Sequence, residues 1–206
     1  DFLVSNAGIA TVGAIERLAL AQWERSLAVN ATGHFLVARA MMRRLRAQGL
    51  GGSLVFIASK NVPAPGKEFG AYSAAKAAET QLARVLAIEG GECGVRVNIV
   101  HPDGVFEGSG LWKAIGPARA RTYHLRAGQL EAYYQRRNLL RAKVLPSDVA
   151  EAVCFFVSQR AAPVQSVTGP SVKNSVIIDP KRLTRPSGAR PCASRAASAS
   201  SRVYVS

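Results

Sequence analysis

The sequence predicts an α/β fold: a doubly wound parallel sheet with helices on both faces, in three layers. Three observations predict it. Short apolar runs alternate along the chain with long stretches rich in alanine and leucine. Two of the runs, "SLVFIAS" and "GVRVNIV", are continuous and β-branched rather than alternating, as strands buried on both faces are. Glycines close the long stretches, as helix C-termini commonly require. Strands separated by helices in this way build βαβ units.

Taken in order, "DFLVSNAG" is a short strand ending in a turn. "LAQWERSLAVNATGHFLVARAMMRRLRAQG" reads as a long helix closed by Gly49. Met41 and Met42 are assigned to its packed side. Arg43, Arg44 and Arg46 belong to its solvated C-terminal end, where the helix dipole favours cations. "SLVFIAS" is the second strand, "AYSAAKAAETQLARVLAIEGG" a strong helix, and "GVRVNIV" the third strand, followed by the loop "HPDGV". Residues 106–144 are longer than an ordinary connection, with short helices expected near 117–125 and 129–140. An insert beside strand ends suits a substrate lid, and equally a simple surface excursion. "PSDVAEAVCFFVSQ" starts another helix on Pro146, Ser147 and Asp148. "SVIID", Ser175 to Asp179, suits a last edge strand. From Lys181 the chain carries six bases, no acid and little periodicity, so residues 1–180 read as the domain and 181–206 as a disordered basic tail.

Composition narrows the function classes. The chain has 206 residues, 48% of them hydrophobic, enough for one domain with a core. No apolar run approaches the ~18 residues of a membrane span, and the N-terminus lacks the layout of a signal peptide. Cys93, Cys154 and Cys192 follow no disulfide or metal spacing, and His34, His101 and His124 show none either. A reducing cytoplasm and no metal are the expectation. The net charge of +14 divides unevenly, because residues 161–206 hold seven bases and one acid. No aromatic-rich basic stripe accompanies the charge, so neither nucleic acid nor membrane is an expected partner.

The stretch "SKNVPAPGKEFGAYSAAK", Ser59 to Lys76, carries the chemistry. Tyr72 and Lys76 stand four apart, so on a helix they share a face. A tyrosine ordinarily titrates near pH ~10, and a neighbouring cation favours its charged form. The pair therefore predicts a general acid/base with a lowered pKa. Ser59 lies thirteen residues before Tyr72, and Asn30 lies inside the preceding helix. Asn6, Ser59 and the run from Pro102 to Val105 fall at strand ends, where ligands bind in parallel sheets.

These residues, in this order and spacing, resemble the short-chain dehydrogenase/reductase family over about residues 1–160, and the resemblance implies a Rossmann-type fold. It implies that Tyr72 exchanges a proton with the substrate oxygen, and that Lys76 tunes Tyr72 and holds the nicotinamide ribose. Ser59 would steady the substrate oxygen, and Asn30 would anchor a water leading from Lys76 to solvent. Asn6, Ala7 and Gly8 would border the adenosine half of NAD or NADP, and Pro102, Gly104 and Val105 the nicotinamide. "PGKEFGAY", the Ser-Lys-Asn turn and "PDGVFEGSGLW" further resemble the dehydrogenase part of bifunctional rhamnulose-1-phosphate aldolase/short-chain dehydrogenases. That likeness implies a small substrate such as lactaldehyde in rhamnose catabolism and NAD rather than NADP, while the wider family resemblance implies pairing into a dimer or tetramer through the helices carrying Asn30 and Tyr72.

Two departures temper the resemblance. No GxxxGxG opens a first βαβ unit, since the one match, GVFEGSG at 104–110, follows the third strand, and Asp179 is followed by Pro180-Lys181 rather than a glycine pair. The expectation is an incomplete sheet whose first βαβ unit is absent, with an unpaired edge and weak cofactor binding. Two function classes follow: an oxidoreductase domain, or a non-catalytic fragment serving as an interaction module.

Overall fold

A computed structural model describes residues 1–126, 128–165 and 203–205. Among these, β1 (Phe2–Ser5), β2 (Gly52–Ile57) and β3 (Val95–Val100) pair in parallel, with Leu3 opposite Leu54 and Leu54 opposite Val97. A short β4 (Val203–Val205) runs parallel to β1 on its other side, giving the order β3-β2-β1-β4. Two expectations change here. The last residues of the basic tail form a strand where disordered chain is predicted, and the β1 edge that the sequence leaves unpaired is paired. The backbone groups of an open edge are a ready template for whichever strand reaches them. The expected "SVIID" strand lies outside the described residues.

Alternation along the strands divides the two faces. Leu3, Leu54, Phe56, Val95 and Val97 point to a core shared with α2 (His34–Gln48) and α3 (Gly70–Gly91), including Met41, Met42 and Leu45. Ser53 and Arg96 point the other way, to α6 (Pro146–Val157): Ser53 Oγ donates to the Phe156 carbonyl at 3.1 Å. Helices thus cover both faces, which is why Leu54, Val55 and Phe56 are all buried without alternation.

The long helix expected before β2 divides. α1 (Leu20–Leu27) passes into α2 through a π-helical turn, Ala28–Gly33, of the kind that often marks functional sites. Asn30 sits buried inside it. Gly49 ends α2 in the left-handed conformation at φ 67°, its N–H bonded to the Leu45 carbonyl. In the long segment after β3, α5 (Gln129–Arg137) starts where expected, whereas α4 (Gly110–Thr122) begins seven residues before the expected 117–125 and holds Pro117 in its interior. Ser109 starts α4, its Oγ accepting from the Trp112 N–H at 3.2 Å. No helix among the described residues is long and apolar enough to cross a membrane.

Candidate active site

The chain leaves β2 through a turn that Asn61 builds. Its backbone N–H and side-chain amide both donate to Ser59 Oγ, at 3.1 and 3.2 Å. Its Oδ1 accepts from the Gly66 N–H at 2.9 Å. The Ser59 carbonyl accepts from His101 Nδ1 at 3.0 Å, so β3 fixes the same residue from the other side. With its lone pairs occupied by Asn61, Ser59 keeps its own proton to donate. On the same cavity wall as the phenol, it is placed to hold a substrate oxygen beside Tyr72.

Tyr72 stands in the first turn of α3, with the Phe69 ring at 5.2 Å. One turn on, the Lys76 ammonium is almost completely buried. It donates to the Ile57 carbonyl at 2.8 Å and meets Glu79 Oε2 at 2.7 Å. The expected lowering of Tyr72 is not found. Burial pushes the phenol above its ordinary value, the Ser59 hydrogen bond opposes the rise, and the Glu79 charge adds to it. Burial is the main reason, and the Glu79 carboxylate, paired with Lys76 on the next turn, adds to it.

A cavity of about 600 Å³ opens over these groups. Eight expected site residues line it: Asn6, Gly8, Ser59, Tyr72, Lys76, Pro102, Gly104 and Val105. Ala7 and Asn30 do not. The Ala7 carbonyl instead accepts from His34 Nε2 at 2.9 Å. The Asn30 amide is spent on the strand-end loop: Nδ2 donates to the Ile9 carbonyl at 2.9 Å and Oδ1 accepts from the Ile9 N–H at 3.0 Å. Its side chain therefore shapes the loop carrying Asn6 and Gly8 rather than reaching Lys76. A Cβ on Gly8 would lie 3.3 Å from Asn30 Oδ1, so only glycine lets the two approach freely.

The segment after β3 supplies the opposite wall, with Trp112 and Tyr134. Phe106 stacks on Trp112 at 4.3 Å and meets Tyr134 edge-on at 5.4 Å. Fully buried Arg119 pins this wall down. It donates to the Lys67 carbonyl and to Tyr123 Oη, and lies 4.1 Å above the Phe69 ring. Asn61, His101, Arg119, His34 and Glu79 were not singled out from sequence as site residues. Only Asn61, inside the quoted Ser-Lys-Asn turn, had a local signal. Among the described residues no group of three His, Cys, Asp or Glu could hold a metal.

A family model described as short chain dehydrogenase matches residues 1–119. The chain belongs to that family. The chain is 44% identical over 162 residues to the uncharacterized oxidoreductase YuxG of Bacillus subtilis, covering 78% of this chain and 24% of that one. Sorbitol-6-phosphate 2-dehydrogenase SrlD of Erwinia amylovora superposes with a TM-score of 0.76 at 28% identity, over 82% of this chain and 65% of that one. An actinorhodin polyketide ketoreductase solved with NADPH gives 0.72 at 26% identity, over 81% and 63%. The chain thus spans about a quarter of YuxG and under two thirds of both these solved structures.

Proposed function

We propose that this chain carries the catalytic half of an NAD(P)-dependent oxidoreductase acting on a small hydroxy or carbonyl compound. The observation that carries the reading is that Ser59, Tyr72 and buried Lys76 converge on the wall of one cavity. The non-catalytic alternative has no comparable support.

The residues fit the nicotinamide half of the cofactor. Asn6 and Gly8 supply open backbone at the end of β1. The Pro102–Val105 loop supplies polar main chain for the carboxamide, and Lys76 a donor for the ribose. When bound, the cofactor supplies or accepts the hydride. In oxidation, Tyr72 takes the hydroxyl proton of the substrate while Ser59 donates to the same oxygen. In reduction, the Tyr72 proton goes to the carbonyl oxygen as charge develops there. Trp112 and Tyr134 give the cavity an aromatic wall against which the substrate can pack.

The sequence likeness to aldolase-fused dehydrogenases favours lactaldehyde as substrate and NAD as cofactor, in the cytoplasm. The 24% share of YuxG is consistent with a dehydrogenase portion inside a longer chain. An aldehyde would react as its hydrate, Tyr72 deprotonating one gem-diol oxygen, because neither Cys93 nor Cys154 lines the cavity. For the whole protein we further propose pairing through α2 and α3, which expose Phe35, Leu36, Val85 and Ile88. The test is to titrate the intact protein with NADH and NADPH by calorimetry, then assay it with lactaldehyde, polyols and hydroxy acids. Cofactor-dependent turnover that Tyr72→Phe abolishes supports the reading. Turnover unaffected by Tyr72→Phe, or no binding of either nucleotide, overturns it.

A further inference from the structure

Beneath the cavity floor lies a polar cluster that the proton exchange at Tyr72 does not use. Glu79 and His34 have side chains at 0% and 1% exposure. Glu79 Oε2 meets Lys76 Nζ at 2.7 Å, and Oε1 lies 3.4 Å from His34 Nδ1. His34 offers the carboxylate no proton. Its Nε2 must donate to the Ala7 carbonyl at 2.9 Å, so Nδ1 is the acceptor for Ser5 Oγ at 2.6 Å. Burial and the Lys76 charge hold His34 near 4, which keeps that tautomer neutral. Among the described residues, Lys76 is thus the one cation compensating Glu79.

We propose that Glu79 is the counter-ion that positions Lys76 and sets how much of its charge reaches Tyr72. The proposal rests on Tyr72 as the acid/base group, but its first test needs no turnover. The titratable groups facing Glu79 are Lys76 and Tyr72 from its own helix and His34 from α2; β1 adds the uncharged Ser5 hydroxyl through His34. The lysine is gripped between the Ile57 carbonyl and the carboxylate, so the pair beside Tyr72 is close to neutral whenever Glu79 is ionised. Desolvation raises Glu79 to about 7, Lys76 opposing. The lysine charge felt by the phenol therefore grows as pH falls through neutrality.

Glu79→Gln keeps an acceptor for Lys76 and removes the negative charge. Tyrosinate absorbance, with the matching Tyr72→Phe titration subtracted, should place the Tyr72 midpoint about one pH unit lower in Glu79→Gln than in wild type. Adding Lys76→Met to Glu79→Gln should return it upward, since the unmatched cation is then gone. If the enzyme turns over, the acidic limb of its alcohol-oxidation profile should move down with the midpoint. A folded Glu79→Gln protein with an unmoved or raised Tyr72 midpoint overturns the proposal, whether or not it is active. Absence of turnover with a lowered midpoint overturns the oxidoreductase reading instead. Should Glu79→Gln not fold, infrared titration of the wild type decides. A protonated carboxyl band appearing as pH falls through about 7 supports a buried Glu79 of this kind. No band until the ordinary carboxylate range near pH ~4 overturns it.

Discussion

At Tyr72 the loss of one hydroxyl is a clean test, because the ring remains to pack on Phe69. Tyr72→Phe should reduce kcat by about 10²–10⁴-fold with an unchanged melting temperature, since it removes only the acid/base group. The buried pair beneath it gives a second prediction, in stability against pH. Glu79 has a folded pKa raised from 4.5 to about 7. Its contribution is therefore full below about 4.5 and lost as pH rises through 7. His34 is lowered from 6.5 to about 4. Its contribution has the opposite sign, present above 6.5 and lost as pH falls through 4. Over the shared window the two slopes oppose each other, and the wild-type melting temperature should be nearly flat. Glu79→Gln leaves His34 alone, so its melting temperature should climb between about pH 4 and 6.5. Thermal melts across that range check this, and a flat curve for the variant would contradict the assignment.

At the level of elements, the end of α6 depends on a strand residue. Arg96 donates to the carbonyls of Phe156 at 2.7 Å, Ser158 at 3.2 Å and Ala161 at 3.0 Å, satisfying groups that the helix and the following turn leave unpaired. Arg96→Met keeps the apolar stem and removes the donors. It should cost about 1.5–3 kcal/mol in chemical denaturation, the range for a hydrogen bond to a charged group. The π-helical turn makes a comparable link on the other side. Asn30→Ala strips both Ile9 backbone groups of their partner. It should weaken cofactor binding more than it lowers kcat, because the loop bearing Asn6 and Gly8 loosens while Ser59, Tyr72 and Lys76 stay in place. Separate KM and kcat measurements distinguish that from a direct role in proton transfer.

For the molecule as a whole, the exposed side of the paired helices is the largest consequence. Ile88 is 64% and Leu36 47% exposed, on helices whose opposite sides fill the core. Apolar side chains concentrated on one helical face mark an interface more often than a free surface. Ile88→Glu should convert a dimer or tetramer to monomer in light scattering, while leaving the far-ultraviolet circular dichroism unchanged. A wild-type protein that is monomeric at micromolar concentration would remove the basis for this expectation.

What the sequence determined alone is whatever depends on local order along the chain. Buried parallel strands announce themselves because both faces must be apolar, so "SLVFIAS" and "GVRVNIV" were legible. Tyr72 and Lys76 were legible because a helix fixes the relation of residues four apart. The strand-end residues Asn6, Ser59 and Val105 followed from the topology. Only the tertiary structure decided the electrostatics. Glu79 was one more charge on a helix until folding buried it against Lys76 and set His34, forty-five positions earlier, beside it. The Tyr72 shift turned upward chiefly through burial of the phenol, with the Glu79 charge adding to it, and both depend on what surrounds a group in space. Arg119 and Arg96 were likewise silent in sequence. An arginine becomes a clamp only when distant carbonyls and rings converge on it, and no spacing along the chain records that convergence.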